Sequence, residues 1–600
     1  SLWVDRHFFE IFDFELLARE GPLLLDKPNE LVLTRSTADL MFPQLRGNYQ
    51  QMLGQELSID RNENTYKVVG ICENLPANST LHFQVLGSYN TLINAWGPGV
   101  EDSWTWSDFY HFLELAPGTD VAALEARFDD FSERHFRGNE VTGSEEVFTL
   151  QAFKDTHLNS SDMEYEIGRT NNGRAVFALL IIAFFVLIIA WVNYVNLSSV
   201  RAIERAKEVG VRKAIGATRG QLVRQFLAEA LSINLISLGL AVLTVQLMGP
   251  WLANQFGLAP GVLSISGLYQ FNSWLLGGLF VLILLGVLVS GAYPAWLLSS
   301  PHVSSVLKGI FTRDLRGTGL RRGLVVFQFT ISIALIAATW LVSKQISYMS
   351  KQDLGINIDQ VMILQGPDLA RWDSTFIDRM NSFKGALEQY PGVLSAATSN
   401  RTPGERMGRQ FNIRRIGAAD NGQKFTSNSI SVDFEFAETY SLAPVEGRFF
   451  RREDHNYDYS QINNLLLNES AARNFGFSSP ADAVGQQLLM GDDRNWNIIG
   501  VLPDFHQRSL RHAIEPIVFL PLYSTGNAIS IKMQTGQIDA TIAQVRLTYS
   551  EFFPDNPFLY TFADENFQRL YESDQQFSGV LSFFTLMTIL IAIFGLFGLA

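Results

Sequence analysis

Five stretches of this 600-residue chain, 175–200, 222–248, 273–298, 323–342 and 577–600, are long apolar runs. Each is long enough to cross a hydrocarbon core of roughly 30 Å, which needs about 20 residues of helix. A soluble core helix of that length would show a polar face, and these runs mostly show none. The feature restricts the chain to an integral membrane protein. Its mean hydropathy, +0.09, is high for a chain with so many residues outside the runs. The length itself implies several folded units. The predicted class is an α-helical membrane protein with two extracytoplasmic mixed α+β domains and an internal tandem duplication.

Charge orients the runs. Cations collect on the cytoplasmic side of membrane proteins. Arg201, Arg205, Lys207, Arg212, Lys213 and Arg219 lie between the first two runs, and Lys308, Arg313, Arg316, Arg321 and Arg322 between the third and fourth. Residues 249–272, between the second and third, carry no charge. Segments 201–221 and 299–322 are therefore placed inside, and 249–272 outside. The long acidic segments, 1–174 and 343–576, also fall outside. Six cations at about 2.5–3.5 kcal/mol each would cost on the order of 15–20 kcal/mol in the bilayer. Segment 201–221 is accordingly predicted as an interfacial or cytoplasmic helix, with Ile203, Val211, Ile215 and Leu222 as apolar contacts. It serves either as a topology anchor on lipid headgroups or as a docking surface for a partner.

The net charge of −14 argues against nucleic acid as a partner. Cys72 is the single cysteine, so no internal disulfide framework is possible, and no Cys/His cluster has zinc-ligand spacing. No metal site is expected. No signal peptide is read, and Ser1 and Ala600 both lie inside patterned segments, which reads as a piece of something longer.

The two outer segments resemble each other at an offset near 430 residues. "LVLTRSTADLMF" at 31–42 parallels "LLLNESAARNFG" at 465–476: a strand, a polar cap at Thr34 or Asn468, then a helix start. "LGQELSIDRNENTYKVVGI" at 53–71 parallels "VGQQLLMGDDRNWNIIGV" at 484–501, both read as β-hairpins. "VDRHFFEIFDF" at 4–14 matches "VDFEFAETYSL" at 432–442. The resulting domain map is 1–174, outer domain; 175–342, four spans with the inner segment 201–221; 343–576, second outer domain; and 577–600, the start of a second membrane domain. Parallel repeats of this kind place pseudo-equivalent halves about an axis along the membrane normal, and they predict eight spans in two sets of four.

"RAKEVGVRKAIGATRGQLVRQFLAEAL" at 205–231 resembles the cytoplasmic coupling segment and following span of the MacB/FtsX-type ABC transporter permeases. "SGAYPAWLLSSPHVSSVLKG" at 290–309 resembles that family's exit from the third span, and "VDRHFFEIFDFELL" near the start resembles the opening of its periplasmic domain. The resemblance implies a MacB-like periplasmic core domain and an FtsX-like permease domain, each duplicated, in a bacterial inner membrane. It implies a partner ABC ATP-binding subunit, separate or fused, with a groove that receives Arg201, Arg205, Lys207, Glu208, Gly210, Arg212, Lys213 and Gly216. ATP would act through that partner, and the output would be mechanotransmission to the outer domains. Family members expel drugs or peptides through a periplasmic adaptor and outer-membrane channel, or release lipoproteins. The residues agree on one point: no Gly is followed by Lys anywhere in the chain, as a phosphate-binding loop requires. No cofactor is expected on the chain itself.

Several other residues have a plain structural role beside a functional one. Glu229 is an acid inside the second run, but it follows Arg224 closely, which favours an Arg-paired or snorkelling carboxylate. Asn193 and Asn196 are read as helix–helix hydrogen bonders. Tyr293-Pro294 is either a kink that ends the third span or a hinge tied to 299–322. Segment 96–115 is read as a strand packing Trp104, Trp106, Phe109 and Phe112. His506 and His512 are read as surface residues, and no catalytic residue is expected. A competing reading makes the chain an ATP-independent receptor or scaffold with ligand-binding outer domains. A membrane-embedded protease would need polar catalytic groups in the spans, where only Glu229 is close. Cargo stays open, as does homodimerisation: one chain with two sets of spans could supply both halves, or two chains could pair.

Overall fold

The computed structural model describes residues 2–58, 65–76, 79–97, 99, 101, 109–135, 147–160, 163, 168, 170–255, 273–299, 317–416, 424–456, 458–491, 494–524 and 526–597. Of 198–207, 254–255, 273–276, 290, 292–299, 317–318 and 320–321 it describes the backbone alone. The chain divides into two compact units, Ser1–Asn171 with Gln352–Tyr571, and Asn172–Lys351 with Glu572–Ala600.

The first outer segment forms a six-stranded sheet of β1 (Leu2–Val4), β2 (Leu16–Arg19), β3 (Glu30–Thr34), β4 (Glu56–Ser58), β5 (Thr65–Cys72) and β6 (Val85–Ser88). Its order is β1-β6-β3-β5-β2, with β4 pairing β5. Central β3 is apolar on both faces because both are covered. Val32 and Leu86 pack with Phe8, Leu24 and Val69 on one side, while Leu33 and Ile71 pack with Ala38 and Met52 on the other. Of the aromatic segment, 102–108 with Trp104 and Trp106 lies outside the described residues, and 109–115 is irregular rather than a strand. Phe112 still packs, edge-on to Phe12 at 4.8 Å.

The five long apolar helices are α1 (Gly173–Ala214), α2 (Arg219–Gln255), α3 (Ser273–Ser299), α4 (Gly317–Met349) and α5 (Glu572–Phe597). All but α1 overrun the predicted spans only at their ends. α1 differs, because the first span and most of 201–221 form one uninterrupted 42-residue helix. At 1.5 Å per residue that is about 63 Å, about twice the roughly 30 Å of the bilayer core. α2 packs on α3, α3 on α1, α1 on both α4 and α5, and α4 on α5. Leu180, Phe184, Leu247, Phe280, Ile333, Trp340 and Phe594 are all exposed on these helices, far more apolar surface than a soluble monomer presents. It is lipid-facing surface.

The second outer segment holds two sheets. Strands β7 (Val361–Leu364), β8 (Val393–Ser399), β16 (Ala528–Met533) and β17 (Tyr560–Phe562) form one, in the order β17-β7-β16-β8. Helices Phe376–Leu387 and Ile538–Phe552 cover one of its faces through Phe383, Leu387, Val545 and Tyr549. The other contains β9 (Gly408–Arg415), β10 (Phe425–Ser431), β11 (Glu446–Gly447), β12 (Asn464–Asn468), β13 (Gln487–Met490), β14 (Arg494–Leu502) and β15 (Ile517–Leu520). Its order is β11-β14-β12-β15-β10-β9-β13, and β13 also pairs with β14. Six strands thus close into a barrel with β11 added to β14. Trp496 is fully buried in it, with its indole N–H donating to the Met490 carbonyl at 3.2 Å.

This barrel repeats the first sheet strand for strand. The order β10-β15-β12-β14-β11 matches β1-β6-β3-β5-β2, with the same parallel and antiparallel senses. The register irregularity repeats as well. Leu31 faces Val68 but Val32 faces Gly70, and Leu465 faces Ile498 but Leu466 faces Gly500. A Cβ on Gly70 would sit 3.0 Å from the Val32 side chain, and one on Gly500 3.0 Å from that of Leu466. The glycine of "VVGI" and of "IIGV" is what lets the two strands close at that shift. β4–β5 and β13–β14 pair antiparallel as the hairpins predicted. The capping expectation needs one correction. Asn468 caps its helix by accepting from Ala471 N, but Thr34 makes no capping bond. Its hydroxyl pairs with that of Thr37 at 2.9 Å instead.

Candidate coupling site at the α1–α2 hairpin

α1 turns into α2 through Ile215–Thr218, and the sequence "KAIGATRGQ" contains the whole turn. Gly216 takes φ +103°, a conformation open to glycine at little cost. Ala217 N–H then bonds to the Arg212 carbonyl and Gly216 N–H to that of Lys213, both at 3.0 Å. This is a Schellman stop, which satisfies the orphan carbonyls of the helix end. The restart is a capping box: Gln221 Oε1 accepts from Thr218 N–H at 2.9 Å, and Thr218 Oγ1 from Gln221 N–H at 3.4 Å.

Arg212 ties the two arms. Its guanidinium donates to Glu208 Oε1 at 2.5 Å within α1 and to Gln225 Oε1 at 2.8 Å on α2. Val209 and Leu222 are buried, and Gly210 is buried with them. Val211 and Ile215, expected as apolar contacts, point outward instead; Ile215 is 82% exposed. An apolar side chain held at the apex of a charged hairpin is surface that gains by being covered. Burial draws the Lys213 pKa below the usual lysine range, and Arg219 nearby adds to the effect.

The side chains of Ile203, Arg201, Arg205 and Lys207 lie outside the described residues, although the backbone there is helical. The side chains of Tyr293 and Pro294 do too, and α3 continues past them to Ser299, so Pro294 does not end the helix. Residues 300–316, with the inner cations Lys308, Arg313 and Arg316, are likewise outside the described residues. Glu229 is half-buried in α2. Asn193 joins helices, its amide donating to the Ile591 carbonyl of α5 at 2.6 Å. Thr339 of α4 meets Thr585 of α5 at 2.7 Å.

One charged cluster escaped the linear reading. Lys384, 1% exposed, lies between the carboxylates of Asp433 and Glu435. Its ammonium is 2.6 Å from Asp433 Oδ2 and 4.7 Å from the centre of the Phe434 ring. Asp433 also accepts from Thr398 N–H at 2.7 Å. Here the end of β8 meets the end of β10, with Ser399 bridging Val432, so the cluster fastens the two sheets of the second domain together. Burial pushes the Glu435 carboxyl up to about 7, with Lys384 opposing and Asp433 reinforcing. Nothing in "VDFEF" signals this, because the lysine arrives from 49 residues upstream.

A MacB-like periplasmic core domain matches residues 2–131 and 324–548, more than half of the chain. The chain belongs to the MacB/FtsX-type permeases of ABC transporters. An FtsX-like permease C-terminal domain matches residues 180–303 of this permease, a span that includes the hairpin. Curated relatives include the macrolide export ATP-binding/permease protein MacB of Aggregatibacter actinomycetemcomitans, 25% identical over 39% of this chain and 33% of that protein. The MacB of Neisseria meningitidis is 31% identical over 19% of this chain and 18% of its own. An uncharacterized ABC transporter permease, YknZ of Bacillus subtilis, is 32% identical over 23% of this chain and 32% of that protein. The permease therefore spans at most about a third of the length of these relatives. Among solved structures, the periplasmic region of MacB from Actinobacillus actinomycetemcomitans aligns with a TM-score of 0.24 and 16% identity, over 35% of this chain and 92% of that one. With helices long and apolar enough to cross a membrane and the matched periplasmic core domain, the permease is a membrane protein with extracytoplasmic domains.

Proposed function

We propose that this permease receives the motion of a partner ABC ATP-binding subunit at the α1–α2 hairpin and passes it to its outer domains. The observation that carries the reading is the exposed Ile215 apex, stiffened by the Schellman stop, the capping box and the Arg212 bridge. A docking element must be rigid at its tip and continuous with what it moves, and α1 is one helix from the apex to its outer end. ATP binding and hydrolysis then belong to the partner, either a separate or a fused ATPase, and the permease itself binds no cofactor. The inner membrane of a bacterium, with lipid headgroups around the basic segment, is its site of action. By family resemblance the work is export of a drug, peptide or lipoprotein-like cargo, with or without an adaptor and outer-membrane channel.

The test is cross-linking of the full-length protein in membranes. Ile215→Cys, at the apex, is expected to cross-link to a P-loop ATPase identified by mass spectrometry, and buried Leu222→Cys is not. Cross-linking from neither, with ATP hydrolysis absent from the purified material, favours the receptor reading.

A further inference from the structure

The loop between β14 and β15, residues 503–516, holds both chain segments that connect the second outer domain to apolar helices. The entering segment follows α4. There, the Leu354 carbonyl accepts the His506 N–H at 2.8 Å, and a Cβ on Gly355 would lie 2.9 Å from the Asp504 carbonyl oxygen. The leaving segment ends at Tyr571, the residue before α5 begins. Its hydroxyl accepts the Leu510 N–H at 3.1 Å. Between them, Gly404 N–H donates to the Gln507 carbonyl at 2.8 Å, and a Cβ on Gly404 would lie 3.5 Å from the Phe567 Cα. Gln507 Nε2 donates back to the Thr402 carbonyl at 2.6 Å.

These segments are not slack tethers. Leu354, Ile356, Phe567 and Tyr571 are buried, and neither stretch has the glycine and serine content of a flexible linker. The loop is in turn fastened to the barrel. Asp504 accepts from Ser470 N–H and Oγ at 2.8 Å and from Arg473 at 2.6 Å. Its two ends lead into β14 and β15, the strands on either side of β12.

The first domain repeats the attachment independently. Ser36 N–H donates to Asn74 Oδ1 at 2.9 Å, the counterpart of Ser470 and Asp504. Thr80, in the loop between β5 and β6, has its carbonyl pressed against Gly168, which lies shortly before α1.

We infer that loop 503–516 is the node at which α4 and α5 act together on the second barrel. His506, Gln507 and Leu510 position the connecting segments through backbone and amide bonds. His506 and His512, read from sequence as surface residues, belong to this loop, and His506 is half-buried in it. The inference rests on the permease reading above, because it needs the helices to be driven.

The experiment is hydrogen–deuterium exchange on the full-length protein bound to its ATPase, with and without ATP and vanadate. Wild type is compared with Tyr571→Phe, which removes only the hydroxyl, and with Gly355→Ala, which crowds the Asp504 carbonyl. Wild type is expected to change exchange in 464–502 when nucleotide is trapped. Tyr571→Phe is expected to raise exchange at Leu510 about tenfold and to reduce the nucleotide response of 464–502 at least twofold, with ATPase binding intact. Gly355→Ala should do the same more strongly. If both variants bind ATPase and their barrels respond as in wild type, the node is wrong and the permease reading stands. If wild type binds no ATPase, or its barrel ignores nucleotide, the permease reading falls and the node with it.

Discussion

Where the first outer domain has Asp5, Arg6 and His7, the second has Asp433, Phe434 and Glu435, and the same turn follows both strands. Asp5 Oδ1 accepts from His7 N–H at 2.9 Å, and Asp433 Oδ1 from Glu435 N–H at 3.2 Å. In the first domain this turn is exposed, and Arg6 reaches Asp26 at 3.3 Å across the surface. In the second it is sealed beneath the helix Phe376–Leu387, and Lys384 is buried between the two carboxylates. The difference teaches that one local fold supports two environments, and that the added sheet β17-β7-β16-β8 creates the second. β9, which closes the barrel, likewise has no counterpart in the first sheet among the described residues.

The comparison is broken most forcefully at the lysine. Removing one member of a buried ion cluster leaves uncompensated charge, which costs roughly 3–5 kcal/mol. Lys384→Met is therefore expected to lower the opening free energy of the second domain by that amount, read by domain-resolved hydrogen exchange on the whole protein. Asp5→Ala should change the first domain by less than about 0.5 kcal/mol. An equal effect in the two domains would mean that the added sheet does not depend on the cluster.

A pH series sharpens the comparison further. Glu435 has its pKa raised from 4.5 to about 7, mainly by burial. The folded state then holds a proton that the unfolded state releases, so this contribution is full below pH 4.5 and is lost as pH rises through about 7. The second domain is expected to weaken by up to about 3 kcal/mol over that window, and Glu435→Gln to abolish the slope. A slope unchanged in the variant would assign the dependence to another group.

The caps give the next largest contrast. Asn468 Oδ1 accepts from Ala471 N–H at 2.9 Å and from Ile517 N–H at 2.8 Å, while its amide donates to the Glu515 carbonyl at 2.9 Å. Asn468→Ala strands three buried groups and is expected to cost about 2 kcal/mol. Thr34→Ala strands one buried hydroxyl, that of Thr37, and should cost about 1 kcal/mol. Denaturant-dependent exchange of the two helices distinguishes them.

Much of this architecture is legible in the chain. Length and uncharged composition mark the five helices, and the offset repeat marks two sheets of like topology, because strand, helix start and hairpin are local patterns. What stays hidden is long-range. Lys384 meets Asp433 only after two sheets are joined, and loop 503–516 gains its partners from Leu354 and Tyr571, far apart in sequence. At the hairpin the turn chemistry is explicit in "IGATRGQ", but the outward direction of Ile215 is not. A 3.6-residue periodicity does not tell which side of a charged helix meets its neighbour.

The smallest stability change is expected at that hairpin. Glu208 and Arg212 are both well exposed, so Arg212→Ala should cost less than about 0.5 kcal/mol, whatever it does to docking. This separation makes the hairpin the direct place to test the central claim. The measurement is co-purification of the full-length protein in mild detergent, wild type beside a variant with Glu208, Arg212 and Lys213 changed to Ala, with ATP hydrolysis read in each eluate. A P-loop ATPase that accompanies wild type and is lost from the equally stable variant is the predicted result. Retention of the ATPase by the variant, with hydrolysis unchanged, would contradict it.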